Sequence, residues 1–157
     1  MHDDITFVRL TEIDASQILD HMTDPRVAEH MPLLNSKWTM DMVTDFVASK
    51  EECWHKDGLG YWAILLNGKY VGWGGLQSEE GEWDFGLVLR PEIFGLGPRI
   101  TRRVIEFAFA DDRIQLVKFL VPPSRKNLSA FDRLGARYVG EIDCNNTSFL
   151  KYELRTV

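Results

Sequence analysis

The residues best placed to do chemistry lie in one stretch, Asp84-Phe85-Gly86-Leu87-Val88-Leu89-Arg90-Pro91-Glu92-Ile93-Phe94-Gly95-Leu96-Gly97-Pro98-Arg99. A strand-like run passes into a segment with two glycines, and that segment opens onto a helical pattern. Glycines let a ligand approach the backbone, and the N–H groups at a helix start carry partial positive charge, so the stretch is suited to an anion. Arg99, Arg102 and Arg103 stand in the first turns of the helix. The macrodipole disfavours cations there by about 0.3–1 kcal/mol each, a penalty that a bound polyanion reverses. Two plainer readings stay open. The glycines can be ordinary turn residues, and Arg102 can pair with Glu106 on a solvated face.

Asp84 is the candidate base. Alternation sets it on the strand face of Gly86 and Val88, opposite Trp83, Phe85 and Leu87. A carboxylate there can take a proton directly or through a water; a solvated carboxylate at a strand start is the alternative. Trp38 lies between acidic helical segments, where its ring can line a pocket for a cationic amine. Trp62, Trp73 and Trp83 fall on neighbouring strands and read as sheet packing. Cys53 and Cys144 stand far apart without a CxxC or a His pair, which predicts two separate thiols and no metal site.

The elements that must position these residues follow one another without repeat or linker. A strand is predicted over 5–10, and a helix follows with Thr11 as N-cap. A short helix opens at Asp24-Pro25 and ends near Met31-Pro32. A third helix runs over 39–54. Strands over 61–66 and 70–76 are joined by Asn67-Gly68, a strong hairpin signal. A third strand covers 83–89. A loop over 91–97 leads to a helix over 98–110 with Ile100, Val104, Phe107 and Ala108 as its inner face. A strand over 114–121, a helix over 124–134 ended by Gly135, and strands over 137–142 and 148–155 complete a mixed α/β domain.

The chain has 157 residues, of which 45% are hydrophobic and 27% charged, and it fits one domain spanning 1–157. No apolar run approaches the roughly 18 residues that cross a bilayer, and the start, MHDDITF, is acidic. A cytoplasmic protein is expected. Residues 1–60 hold twelve Asp and Glu against five Lys and Arg, and all four His. Nucleic acid is therefore not expected as a partner, since phosphate binding needs clustered basic charge. The acidic half suits a cationic substrate, or it is simply solvated helix surface.

Strand–PxxxGxG–helix, in this order of elements, resembles the acetyl-CoA-binding core of the GNAT superfamily. The pattern Asp84-x-Gly86-x-x-Leu89-x-Pro91-Glu92-x-x-Gly95-x-Gly97 is similar to its ribosomal-protein N-terminal (alanine) acetyltransferase branch. Trp62-Ala63-Ile64, Val71-Gly72-Trp73 and Leu134-Gly135-Ala136 extend the likeness. The resemblance implies a GNAT-like acyl-CoA N-acyltransferase fold, a mixed, mostly antiparallel sheet of about seven strands flanked by helices. It implies that the backbone of Leu87, Val88 and Leu89 pairs with the pantetheine arm of acetyl-CoA. The backbone of Gly95, Leu96, Gly97, Pro98 and Arg99 would cradle the pyrophosphate, with Phe94 and Arg102 as further cofactor-binding candidates. Ser124 and Asn127 would line the other side of the thioester arm.

The function so implied is transfer of acetyl from acetyl-CoA to a primary amine, by direct attack in a ternary complex and without a metal. The amine is a protein N-terminus or a small molecule. An α-amino group with pKa near 8 is about 10% neutral at pH 7 and needs only modest base help. Partners are acetyl-CoA and the amine, with no nucleic acid or membrane, and a homodimer is allowed for. The chain departs from the resembling pattern at Phe94, at Arg99, and at Phe131, which stands where a proton-donating Tyr is usual. Tyr138 and Ser129 are the substitutes considered. A catalytically weak acyl-CoA-binding or regulatory module is the alternative, and a dimerisation domain that binds no nucleotide is a third reading.

Overall fold

The computed structural model describes residues 4–28, 37–79, 81–123, 128–144 and 146–156. Among them, β1 (Ile5–Arg9), β2 (Tyr61–Leu66), β3 (Lys69–Glu79), β4 (Glu82–Leu89), β5 (Leu116–Val121), β6 (Arg137–Cys144) and β7 (Thr147–Arg155) form one sheet. Its order is β1-β2-β3-β4-β5-β7-β6, and only β4 with β5 runs parallel. Asn67 and Gly68 turn the β2–β3 hairpin with φ of 53° and 82°, as the Asn-Gly pair predicts.

The helices are α1 (Ala15–Met22), α2 (Pro25–Ala28), α3 (Met40–Asp57), α4 (Gly97–Ala110) and α5 (Ser129–Leu134). Helices α1 and α3 cover one face of β1–β4, burying Ile18, Met22, Val43, Tyr61, Ala63 and Trp73 together. On the opposite face α4 and α5 pack on Trp62, Leu76, Trp83, Val117 and Phe119. Burying each large side chain here is worth roughly 1.5–3 kcal/mol, which fixes both helix layers onto the sheet. Thr39 caps α3 by accepting from Met42 N–H, and Gly58, at φ 68°, ends it in the left-handed region.

Several expected boundaries move. The cap of α1 is Asp14, whose carboxylate accepts from Ser16 N–H, because Leu10–Glu12 is first wound into a 3-10 turn. The glycine-containing loop is likewise wound, as a 3-10 helix over Pro91–Leu96 that runs straight into α4. The inner face of α4 is Ile100, Val104, Ile105 and Ala108; Phe107 is 41% exposed and meets only the rims of Phe7 and Trp62. The five-residue offset from Ile100 to Ile105 widens the buried stripe at Phe107's expense. The last helix is described from Ser129, so Ser124 and Asn127 lie outside the described residues, as does the end of the Asp24-Pro25 helix near Met31-Pro32.

Candidate active site

Strands β4 and β5 pair at Trp83 with Val117 and at Asp84 with Lys118, and form no further pair. Both continue, β4 to Leu89 and β5 to Val121, so the sheet splays open above Asp84. Phe85–Leu89 still pairs with β3 on its other side, at Leu76 through Gly72. The facing edges of β4 and β5 therefore offer peptide N–H and C=O groups to whatever lies between them, since such groups need partners when buried.

The splay forms a cleft of about 860 Å³. Its walls are Phe85 to Leu89 from β4, Phe119 to Pro122 at β5, and Ala130, Phe131, Arg133 and Leu134 from α5. Phe94, Gly97, Pro98, Thr101 and Arg102 close the end at α4, and Val27 reaches in from α2. Of the residues expected to hold a cofactor, Leu87, Val88, Leu89, Phe94, Gly97, Pro98 and Arg102 thus share one cleft. Gly95, Leu96 and Arg99 do not line it; Gly95 and Leu96 are wound into the 3-10 helix and Arg99 lies in the first turn of α4. Gly97 N–H donates to Phe94 C=O, and Pro98 has no N–H, so fewer amides face the cleft than an open loop would supply. Among the described residues, the charged side chains on its walls are Arg102 and Arg133, from α4 and α5. Arg133 and the β5 wall escaped notice in the sequence, because nothing local marks a strand that sits across a splay.

Asp84 lies at the root of the splay, on the α1–α3 face. Its Oδ1 is buried and accepts no hydrogen bond. Burial pushes its pKa up to about 6; Lys118 and Lys50 oppose the rise, and Glu79 and Glu82 add to it. Lys118 Nζ is 3.3 Å from Glu82 Oε2, and Lys151 Nζ lies 3.4 Å from Glu82 and 3.6 Å from Glu153. Lys50 Nζ donates to Gln77 Oε1 at 2.7 Å, directly across from Asp84 in the ladder. A buried acceptor atom left without a donor costs about 1–3 kcal/mol, and groups perturbed in this way cluster at functional sites.

Phe131 is 6% exposed and stacks on Tyr152 with centroids 4.7 Å apart and planes at 20°. It is an apolar wall of the cleft. Tyr138 is 50% exposed on β6, and neither it nor Ser129 lines the cleft. Trp38 packs edge-on to Phe46 at 5.5 Å beside the α1–α3 core, and its buried Nε1 has no partner among the described residues. Trp62, Trp73 and Trp83 are buried in the sheet packing, as expected. Cys53 and Cys144 are free thiols, and no group of His, Cys, Asp or Glu among the described residues could hold a metal. No helix among them is long and apolar enough to cross a membrane.

The family model described as an acetyltransferase (GNAT) domain matches residues 4–147. This chain belongs to the GNAT acetyltransferases. As a GNAT N-acetyltransferase it uses acetyl-CoA, and its fold is the one seen in solved relatives. The aminoglycoside acetyltransferase AAC(6')-Ib in complex with coenzyme A superposes with TM-score 0.76 at 16% identity, over 97% of this chain and 95% of that one. An acetyltransferase from Agrobacterium tumefaciens str. C58 gives 0.77 at 19% identity, over 99% and 93%. A GNAT-family acetyltransferase from Bacillus anthracis gives 0.77 at 14%, over 97% and 95%. Among curated proteins, none matches the sequence. The GNAT chain's narrower likeness to ribosomal-protein N-terminal acetyltransferases finds no support in these comparisons.

Proposed function

We propose that residues 1–157 act as one catalytic domain in which acetyl-CoA lies in the β4–β5 splay and an amine attacks it from the α1–α3 face. The observation that carries this reading is the splay itself, with two strand edges that part above a carboxylate whose Oδ1 is buried and accepts no hydrogen bond. The pantetheine arm carries two amides, and the open edge of Leu87–Leu89 supplies complementary groups at strand spacing. Phe85, Phe119 and Phe131 exclude water around the thioester. Arg102 and Arg133 sit where the phosphates would be, and Thr101 adds a hydroxyl, although it also donates to Gly97 C=O at 2.7 Å.

In the reaction the amine nitrogen bonds to the acyl carbon, the C–S bond breaks, and the thiolate leaves with the electron pair. The amine proton passes to Asp84, through a water given the short side chain. With its pKa near 6, Asp84 is mostly ionised at pH 7 yet basic enough to relay a proton from an ammonium of pKa near 8. Phe131 cannot protonate the thiolate, and a thiol of pKa about 8.5 leaves tolerably well unaided. Holding amine and thioester together then supplies much of the rate, several kcal/mol of barrier.

A single amine, such as a peptide N-terminus, suits the acceptor face better than a polycation. Glu82 and Glu153 are already engaged by Lys118 and Lys151, and Lys50 adds a further ammonium near Asp84. A small amine is the second reading, for which the Trp38 ring, set edge-on to Phe46, is the candidate cation contact. Calorimetric titration with acetyl-CoA tests the cleft, with binding in the micromolar range expected and no heat at millimolar ligand overturning it. Thiol release against peptides with free N-termini, spermidine and kanamycin then ranks the acceptors.

A further inference from the structure

Tyr61, Gly75 and Gly86 stand side by side across β2, β3 and β4. Gly75 interposes no side chain between its neighbours. The Tyr61 ring runs across β3 so that its hydroxyl and Cζ rest against Gly86, where a Cβ would come within 2.7 Å of Cζ. Trp73 flanks the ring on one side, with centroids 5.5 Å apart. On the other, Lys50 Nζ stands 4.6 Å from the ring centroid while bonded to Gln77. A tyrosine hydroxyl is thereby fixed on the one glycine of β4, and Gly86 lines the splay.

Alternation puts Gly86 on the face of Asp84 and Val88, away from α4 and α5. The hydroxyl therefore rests on Gly86, a residue that lines the splay, from the acceptor side, opposite the side walled by Phe131. Asp84 is two residues along the same face, about 6.8 Å of strand. In the proposal a water carries the proton from an amine held at the hydroxyl to the carboxylate.

We propose that Tyr61 is a further catalytic residue, whose hydroxyl oxygen accepts an N–H from the attacking amine and turns the nitrogen lone pair toward the acyl carbon. This rests on the acetyltransferase reading of the splay. The hydroxyl keeps its proton throughout the working pH range, because burial and then the Asp84 charge push its pKa upward. It acts as a fixed neutral partner while Asp84, through water, takes the proton. It does not replace the missing acid of α5, because the thiolate departs on the opposite face.

The test uses the full chain with acetyl-CoA and a chromogenic thiol reagent, with kanamycin, spermidine and a peptide bearing a free N-terminal alanine as acceptors. With the best acceptor, Tyr61→Phe is expected to lower kcat about 10- to 100-fold, the weight of one hydrogen bond to a charged or reacting group. The KM for acetyl-CoA and the affinity from calorimetry stay within twofold, a split that a merely structural role would not produce. A kcat within twofold of wild type overturns the proposal, as does a loss shared equally with acetyl-CoA affinity. Wild-type protein that releases no thiol with any acceptor overturns the transferase reading itself, and this proposal with it.

Discussion

Asp84 is the residue on which chemistry and stability meet. Its folded pKa of about 6 lies above the ordinary 3.8, so between those values the native state holds more protons than the unfolded chain. By linkage, stability falls as pH rises through that window, and the full cost is present above it. Asp84→Asn is therefore expected to raise the melting temperature at pH 7.5, a gain of about 1–3 kcal/mol, and to change little at pH 4. The same variant should lose about 100-fold in kcat/KM and the acid limb centred near pH 6. A pH–rate series beside thermal melts at both pH values checks the two effects together. Phe131, held between Phe119 at 5.5 Å and Tyr152, walls the cleft. Phe131→Ala should cost about 3–5 kcal/mol in denaturant unfolding, the usual price of an emptied aromatic site.

At the scale of elements, α1 is latched to the end of β4, and so to the cleft. Tyr70 hydroxyl is 2.8 Å from His21 Nδ1, and the opposite edge of the ring turns toward the Leu89 backbone without reaching hydrogen-bond geometry. Arg90, just past β4, pairs with Asp20 at 2.9 Å and donates to Gln17 C=O. Burial holds the His21 pKa down to about 4, so the unfolded chain binds the extra proton between that value and 6.5. Stability from this group is lost as pH falls through the window, opposite in sign to Asp84. The two slopes oppose in the wild type, so from pH 7 to 5 the melting temperature should fall more steeply in Asp84→Asn and rise in His21→Gln, where the Asp84 slope is left alone. On the far wall, Arg102→Ala and Arg133→Ala should each weaken acetyl-CoA binding about tenfold, with less salt dependence than wild type, as expected for lost charge-assisted contacts to phosphate. Calorimetry at two ionic strengths reads this directly.

At the scale of the molecule, order and pairing account for what could and could not be read beforehand. The order of strands and helices, the Asn67-Gly68 hairpin and the left-handed Gly135 are local, written in propensity and turn chemistry, and they appear as expected. So does the face of Asp84, because strand alternation is a two-residue rule. The 3-10 winding of Pro91–Leu96 was not legible, since whether a glycine-containing segment coils depends on what it packs against. Nor was the lane that carries Tyr61 to Gly86, which exists only once three strands are in register. The sequence by itself determined the family, the element order and a carboxylate on the reactive face, because these depend on neighbours along the chain. Tertiary structure alone decided that β4 and β5 part after Asp84, and which side chains line the opening. That outcome depends on pairing between strands that 26 residues separate, from Leu89 to Leu116, and no local signal encodes where such pairing stops.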